Sequence, residues 1–178
     1  MTKRLTLPAA AVAAAFLFAA APAVAAAPQP TQKIDIGKVM GRWYEVARLP
    51  NKIQKGCQGG TSDWTKSAEG FSVVQICHKG ALTAPPTEWK AKARVLDAST
   101  NAKIRMSFFG GVLNQEYWVL EHRPSEGWLI LATPGGNSVW LMSQRPTLGA
   151  QAKASAMARL RQYGYDVGRL EFPLPARN

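Results

Sequence analysis

Few residues in this chain could carry covalent or proton-transfer chemistry. The histidines are His78 and His122, and the cysteines are Cys57 and Cys77. These four do not form a zinc-ligand pattern, since the histidines stand far apart and the thiols are not closely spaced. Neither G-x-S-x-G nor H-E-x-x-H occurs. Glu45, Asp63 and Glu69 are not spaced as a general acid–base set. The residues therefore point to no catalytic group, no metal and no cofactor. His78 or His122 as a general base is what an enzyme reading would have to use.

The large apolar and aromatic residues must then carry the function, and their periodicity says how they are held. Residues 41–51 read as a strand entered through Gly41 and ended by Pro50-Asn51, with Trp43 and Tyr44 as a heavy apolar load inside it. Strands follow at 59–66, 71–79, 87–95, 103–109, 115–122, 127–133 and 138–144, with turn residues between them. In 87–95, Trp89, Ala91, Ala93 and Val95 alternate with Glu88, Lys90, Lys92 and Arg94, which makes one wet and one buried face. In 103–109, Ile104, Met106 and Phe108 alternate with Lys103, Arg105 and Ser107.

The last three strands are apolar on both faces and need a cover. A helix after Pro146 supplies one. Thr147 is its expected N-cap, Gly164 its C′ residue, and Leu148, Ala152, Ala156, Leu160 and Tyr163 its apolar stripe. Residues 166–170 read as a short closing strand. Eight strands and one late helix predict an all-β fold, an antiparallel up-and-down barrel with the C-terminal helix packed outside, with a β-sandwich as the alternative.

Residues 1–25 read as a cleaved signal peptide. Lys3 and Arg4 precede an apolar run over 9–21, and Ala23-Val24-Ala25 is an A-x-A cleavage site. Residues 26–35 read as a flexible leader, 36–172 as the domain and 173–178 as a tail. No cysteine follows the cleavage site, so the expectation is an exported protein, periplasmic or secreted, without a lipid anchor. Export permits oxidation, and Cys57–Cys77 is the one possible pairing, with metal binding by the thiols as the rival reading. The net charge is +11, and loss of Lys3 and Arg4 lowers it to +9. The basic residues are scattered, which argues against nucleic acid and for a solvated surface with some peripheral affinity for anionic membranes.

Three separated motifs resemble the lipocalins, in the branch of the bacterial lipocalins and apolipoprotein D. They are Gly41-x-Trp43-Tyr44-Glu45-x-Ala47-Arg48, Tyr117-Trp118-Val119-Leu120, and Trp140-Leu141-Met142-Ser143-Gln144-Arg145-Pro146-Thr147. The resemblance covers about 36–170. It implies that Trp43 plugs the closed end of the barrel under an arginine from the third motif. Here Gln144 occupies the aligned position and Arg145 falls one place late, so either would have to close the barrel. The Thr-Asp-Tyr of the second signature is absent, and His122-Arg123-Pro124 stands in its place.

Alternation puts Trp89, Ala91, Met106 and Phe108 inside the barrel. The resemblance adds Trp64, Ile76, Tyr117, Val119, Trp128 and Trp140 as ligand-lining residues. Glu45 shares the parity of Trp43 and points inward. Together these imply a carrier of a small hydrophobic ligand, such as a fatty acid or lysophospholipid, as a monomer or homodimer. A filled barrel working through its surface, and an enzyme on the same fold, stay open as alternatives.

Overall fold

A computed structural model describes residues 26–176. The signal peptide expected over 1–25 and the last two residues of the tail lie outside them. Eight antiparallel strands close in sequence order into one barrel. They are β1 (Gly41–Arg48), β2 (Cys57–Ser67), β3 (Gly70–Lys79), β4 (Pro86–Val95), β5 (Lys103–Phe108), β6 (Leu113–Arg123), β7 (Trp128–Ala132) and β8 (Val139–Ser143). β1 pairs with both β2 and β8, which closes the ring. A short helix α1 (Ile36–Val39) precedes β1, and helix α2 (Ala150–Gln162) follows β8.

The core is divided by the barrel wall. Inside lie Trp43, Trp64, Val73, Ala91, Met106, Phe108 and Val119. Outside, under α2, Trp118, Leu120, Trp128, Ile130 and Leu141 pack with Ala156 and Leu160. This is why β6 to β8 are apolar on both faces: one face fills the barrel and the other receives the helix. Three bulges reset which side chains face inward. Val46, Gln58 and Leu120 are each an extra residue without a cross-strand partner.

Several expectations change. The cap of α2 is Gly149, in extended conformation, and Thr147 is exposed on the turn before it. The chain after α2 forms no closing strand. Val167–Arg169 is a 3-10 turn capped by the Asp166 carboxylate on the Gly168 N–H, and only Glu171 bridges to Arg48 of β1. The expected leader is packed: Ile34 is buried, its N–H donates to the Thr100 carbonyl, and the Ala27 N–H reaches the Pro134 carbonyl. The expected tail is also held, with the Leu174 N–H donating to the Gln58 carbonyl and Ala176 buried.

Candidate functional site

One end of the barrel is sealed. The Trp43 Nε1–H donates to the Val39 carbonyl at 2.7 Å, so α1 and the first strand close on each other. The partner across the Trp43 ring is His122, edge-on at 6.0 Å between ring centres. Gln144 and Arg145 do not seal this end. Both are exposed, and the Arg145 N–H donates to the Ser143 hydroxyl. The strand β8 ends at Ser143, so neither residue is held over the floor. His122 reaches it because the bulge at Leu120 turns Glu121 outward and His122 inward. Gln32 grips the His122 backbone with both amide atoms, at 3.0 and 2.9 Å. Burial lowers the His122 pKa below its ordinary value, Asp35 opposes this and Lys38 adds to it. Its Nε2 has no hydrogen-bond partner among the described residues.

The aromatic residues expected in the lining separate into three groups. Trp64, Ala91, Met106, Phe108 and Val119 lie in the interior and are buried, and the Trp64 ring stacks on Phe71 at 5.4 Å. Trp89, Tyr117 and Trp140 pack on the same cluster but are only half-buried, and Tyr117 and Trp140 meet at 5.8 Å. Trp128 and Ile76 leave the interior. Trp128 shares the outward parity of Ile130 and Ala132, lies in the cluster under α2, and donates its Nε1–H to Glu126. Ile76 pairs with Thr61 and Glu88, on the face opposite Val73 and Trp89. The inward neighbour there is Gln75, which pairs with Trp89 and hydrogen-bonds Tyr117.

At the other end, Glu45 points inward as its parity implied, and it meets a residue that sequence parity puts outside. Arg48 follows the bulge at Val46 and so turns into the barrel. Its Nη1 lies 2.6 Å from Glu45, its Nε 3.1 Å from Glu171, and its Nη2 donates to the Cys57 carbonyl at 2.8 Å. Burial pushes the Glu45 carboxyl above its usual range, while Arg48 and Gln54 hold it down. Gln54, from the loop after β1, donates to Glu45 and accepts from the Trp140 Nε1–H at 2.8 Å. The site needs Gly60: a Cβ there would stand 2.8 Å from the Glu45 carboxylate. Beside this cluster a cleft of about 360 Å³ opens along Arg48, Cys57, Glu171, Phe172 and Leu174.

Cys57 and Cys77 are bonded, with Cα atoms 5.6 Å apart, and pin the start of β2 to β3 next to Arg48. The metal reading of the thiols falls with that bond. His78 gives its ring Nδ1 to a contact with the Ala84 carbonyl at 2.9 Å, in the loop after β3. It stands at the end of the barrel opposite His122, so the two do not form a pair.

Comparison with known proteins agrees with this architecture. The outer membrane lipoprotein Blc of Vibrio cholerae is 26% identical over 146 residues, covering 80% of this chain and 83% of that protein. The Escherichia coli K12 protein of the same name is 26% identical over 141 residues, covering 76% of each. Among solved structures, insecticyanin from the tobacco hornworm Manduca sexta superposes with a TM-score of 0.68 at 17% identity, covering 84% of this chain and 86% of that one. Lobster apocrustacyanin A1 gives 0.63 at 11% identity, covering 79% of each. The chain is thus similar to bacterial Blc proteins, and the family model described as a lipocalin-like domain, which matches residues 34–175, with the closed eight-stranded barrel and its outer helix, places it in the lipocalin family.

Proposed function

We propose that this lipocalin is an exported carrier that takes up one fatty acid or lysophospholipid acyl chain inside the barrel. The supporting observation is the interior lining. It is built from Trp64, Trp89, Met106, Phe108, Tyr117 and Trp140, and its buried charges, Glu45 and Arg48, are paired with each other. Such a surface offers apolar contact and no unpaired charge, which suits an acyl tail. Trp89, Tyr117 and Trp140 form the half-buried entrance, and the buried, unbranched Met106 of the same cluster can change rotamer to make room. A chain of about 14 methylenes gains about 11 kcal/mol on burial, and association costs at least about 4 kcal/mol. The dissociation constant is therefore expected to be about 10 µM or weaker.

Two observations support the export reading. The Vibrio cholerae and Escherichia coli relatives are called outer membrane lipoproteins, and a disulfide suits an oxidising compartment. Cys57 and Cys77 hold each other, so neither is free to carry a lipid. The mature protein on this reading starts at Ala26 and is soluble in the periplasm or outside the cell, as an intact-mass measurement of the exported form would reveal.

Uptake is tested by intrinsic tryptophan fluorescence during titration with palmitate and with lysophosphatidylcholine. Trp89, Trp140 and Trp64 report directly from the lining. A saturable change is expected, and Trp89→Ala weakens it about tenfold by removing ring contact. A folded protein with no saturable response to either ligand overturns the proposal.

A further inference from the structure

The two ends of the barrel differ in chemistry. The loops at the end away from Trp43 are 49–56, 80–85, 109–112 and 133–138, and they contain no aspartate or glutamate. They do contain Lys52 and Lys55, with Lys79 exposed at the end of β3. The loops between strands at the sealed end each carry one acid: Glu69, Asp97 and Glu126. Exposed apolar side chains show the same asymmetry. Ile53 (64% exposed), Phe109 (64%), Val112 (88%) and Leu113 (46%) stand on or beside the mouth loops. The remaining two large exposed apolar residues among those described, Phe172 and Leu174, lie on the tail that joins β1 and β2 at this same end.

The turn that carries Phe109 is unusual. Phe109 has φ 51°, in the left-handed region that a bulky residue avoids, and Gly110 and Gly111 follow at 68° and 99°. The Phe109 ring touches Phe108 at 6.4 Å between centres but stays 64% exposed, and backbone strain of this kind collects where a surface has work to do. A water-facing loop also has no reason to exclude acids while keeping lysines, whereas a surface that meets phosphates does.

We propose that the mouth end docks on an anionic lipid bilayer. Ile53, Phe109, Val112 and Leu113 enter the boundary between headgroups and acyl chains. Lys52, Lys55 and Lys79 lie against the lipid phosphates; the mouth loops carry no carboxylate, and the acids nearest this end, Glu171 and Glu88, are paired with Arg48 and Lys90. The barrel axis then stands towards the membrane, and the half-buried entrance at Trp89, Tyr117 and Trp140 opens onto lipid instead of bulk water. This goes beyond ligand carriage, and docking can be measured without any ligand being taken up.

The test is co-sedimentation of the mature protein with vesicles of phosphatidylcholine containing about 30% phosphatidylglycerol. Binding is expected on these vesicles, and it weakens on pure phosphatidylcholine and at about 1 M salt. Ile53→Ser with Phe109→Ser and Val112→Ser lowers partitioning at least about tenfold. Lys52→Gln with Lys55→Gln lowers it about thirtyfold. All five residues are exposed, so these variants keep the wild-type thermal transition, which serves as the fold control. The proposal is overturned if the wild type stays in the supernatant, or if the serine variant partitions like the wild type. It is equally overturned if sedimentation velocity finds a dimer that the serine substitutions dissolve, since the face then joins two copies of this chain.

Discussion

Arg48 is 3% exposed and has a carboxylate on each side of its guanidinium, Glu45 inside the wall and Glu171 on the tail. A buried pair of this kind adds little net stability, but removing one partner strands the other charge away from water. Arg48→Met is therefore expected to cost about 3–5 kcal/mol in urea denaturation, and Arg48→Met with Glu45→Leu to recover much of it. His122 gives a pH signature. Its pKa is lowered by burial, so below about 6.5 the unfolded chain binds the proton that the folded chain resists. Its contribution is complete above that value and is lost as the pH falls through it. Wild-type melting temperature should drop between about pH 7.5 and 5.5. His122→Phe, which keeps a ring against Trp43, should remove that part of the drop, and an equal drop in both proteins would assign it elsewhere. Glu45 was legible from its parity with Trp43. Arg48 and His122 were not, because each follows a bulge, and one unpaired residue turns every later side chain to the other face.

Helix α2 is attached to the barrel by packing and by one polar clamp. Ala156 and Leu160 are fully buried against the outer face of β7 and β8. Glu121, on the outward side of β6, accepts from the Tyr163 hydroxyl at 2.7 Å and from Arg159 at 2.6 and 2.7 Å. Burial alone would raise the Glu121 carboxyl, but these donors, with the charges of Arg159 and Arg123, hold it below its usual range. Burial, with Glu121 beside it, pushes the Tyr163 phenol up to about 12. Leu160→Ala should cost about 2–5 kcal/mol of stability. Ligand fluorescence should be unchanged, because Leu160 lies outside the wall; a loss of uptake in the folded variant would contradict the two-layer core.

The eight strands and the helix could be read from alternation, turn residues and the helical stripe. Trp128 could not be placed that way. Trp128-Leu129-Ile130-Leu131 is apolar at every position, and only the register with β8 and the seat of α2 decide which rings face the ligand. Helix α1 is a single turn, too short to leave a periodic signal. The start of α2 is not legible from residue type, because Thr147 is a good cap by type whereas the backbone enters the helix at Gly149.

The molecule as a whole is a barrel with a sealed floor and a cationic, apolar mouth, pinned beside that mouth by Cys57–Cys77. The bond closes a loop of about twenty residues, which the chain-entropy description makes worth about 3 kcal/mol. Reduction, or Cys57→Ala with Cys77→Ala, should lower the denaturation free energy by about that amount. The loss should be largest in hydrogen exchange at the first residues of β2 and least at the sealed floor. On the proposed reading, the interior of the barrel is where an apolar molecule is held. Native mass spectrometry of the exported, non-reduced protein, with organic extraction of what is bound, tests that most directly. The result expected is one fatty acid or lysophospholipid per chain, displaced by added palmitate. A barrel that arrives empty, and then takes up neither palmitate nor lysophosphatidylcholine, would contradict it.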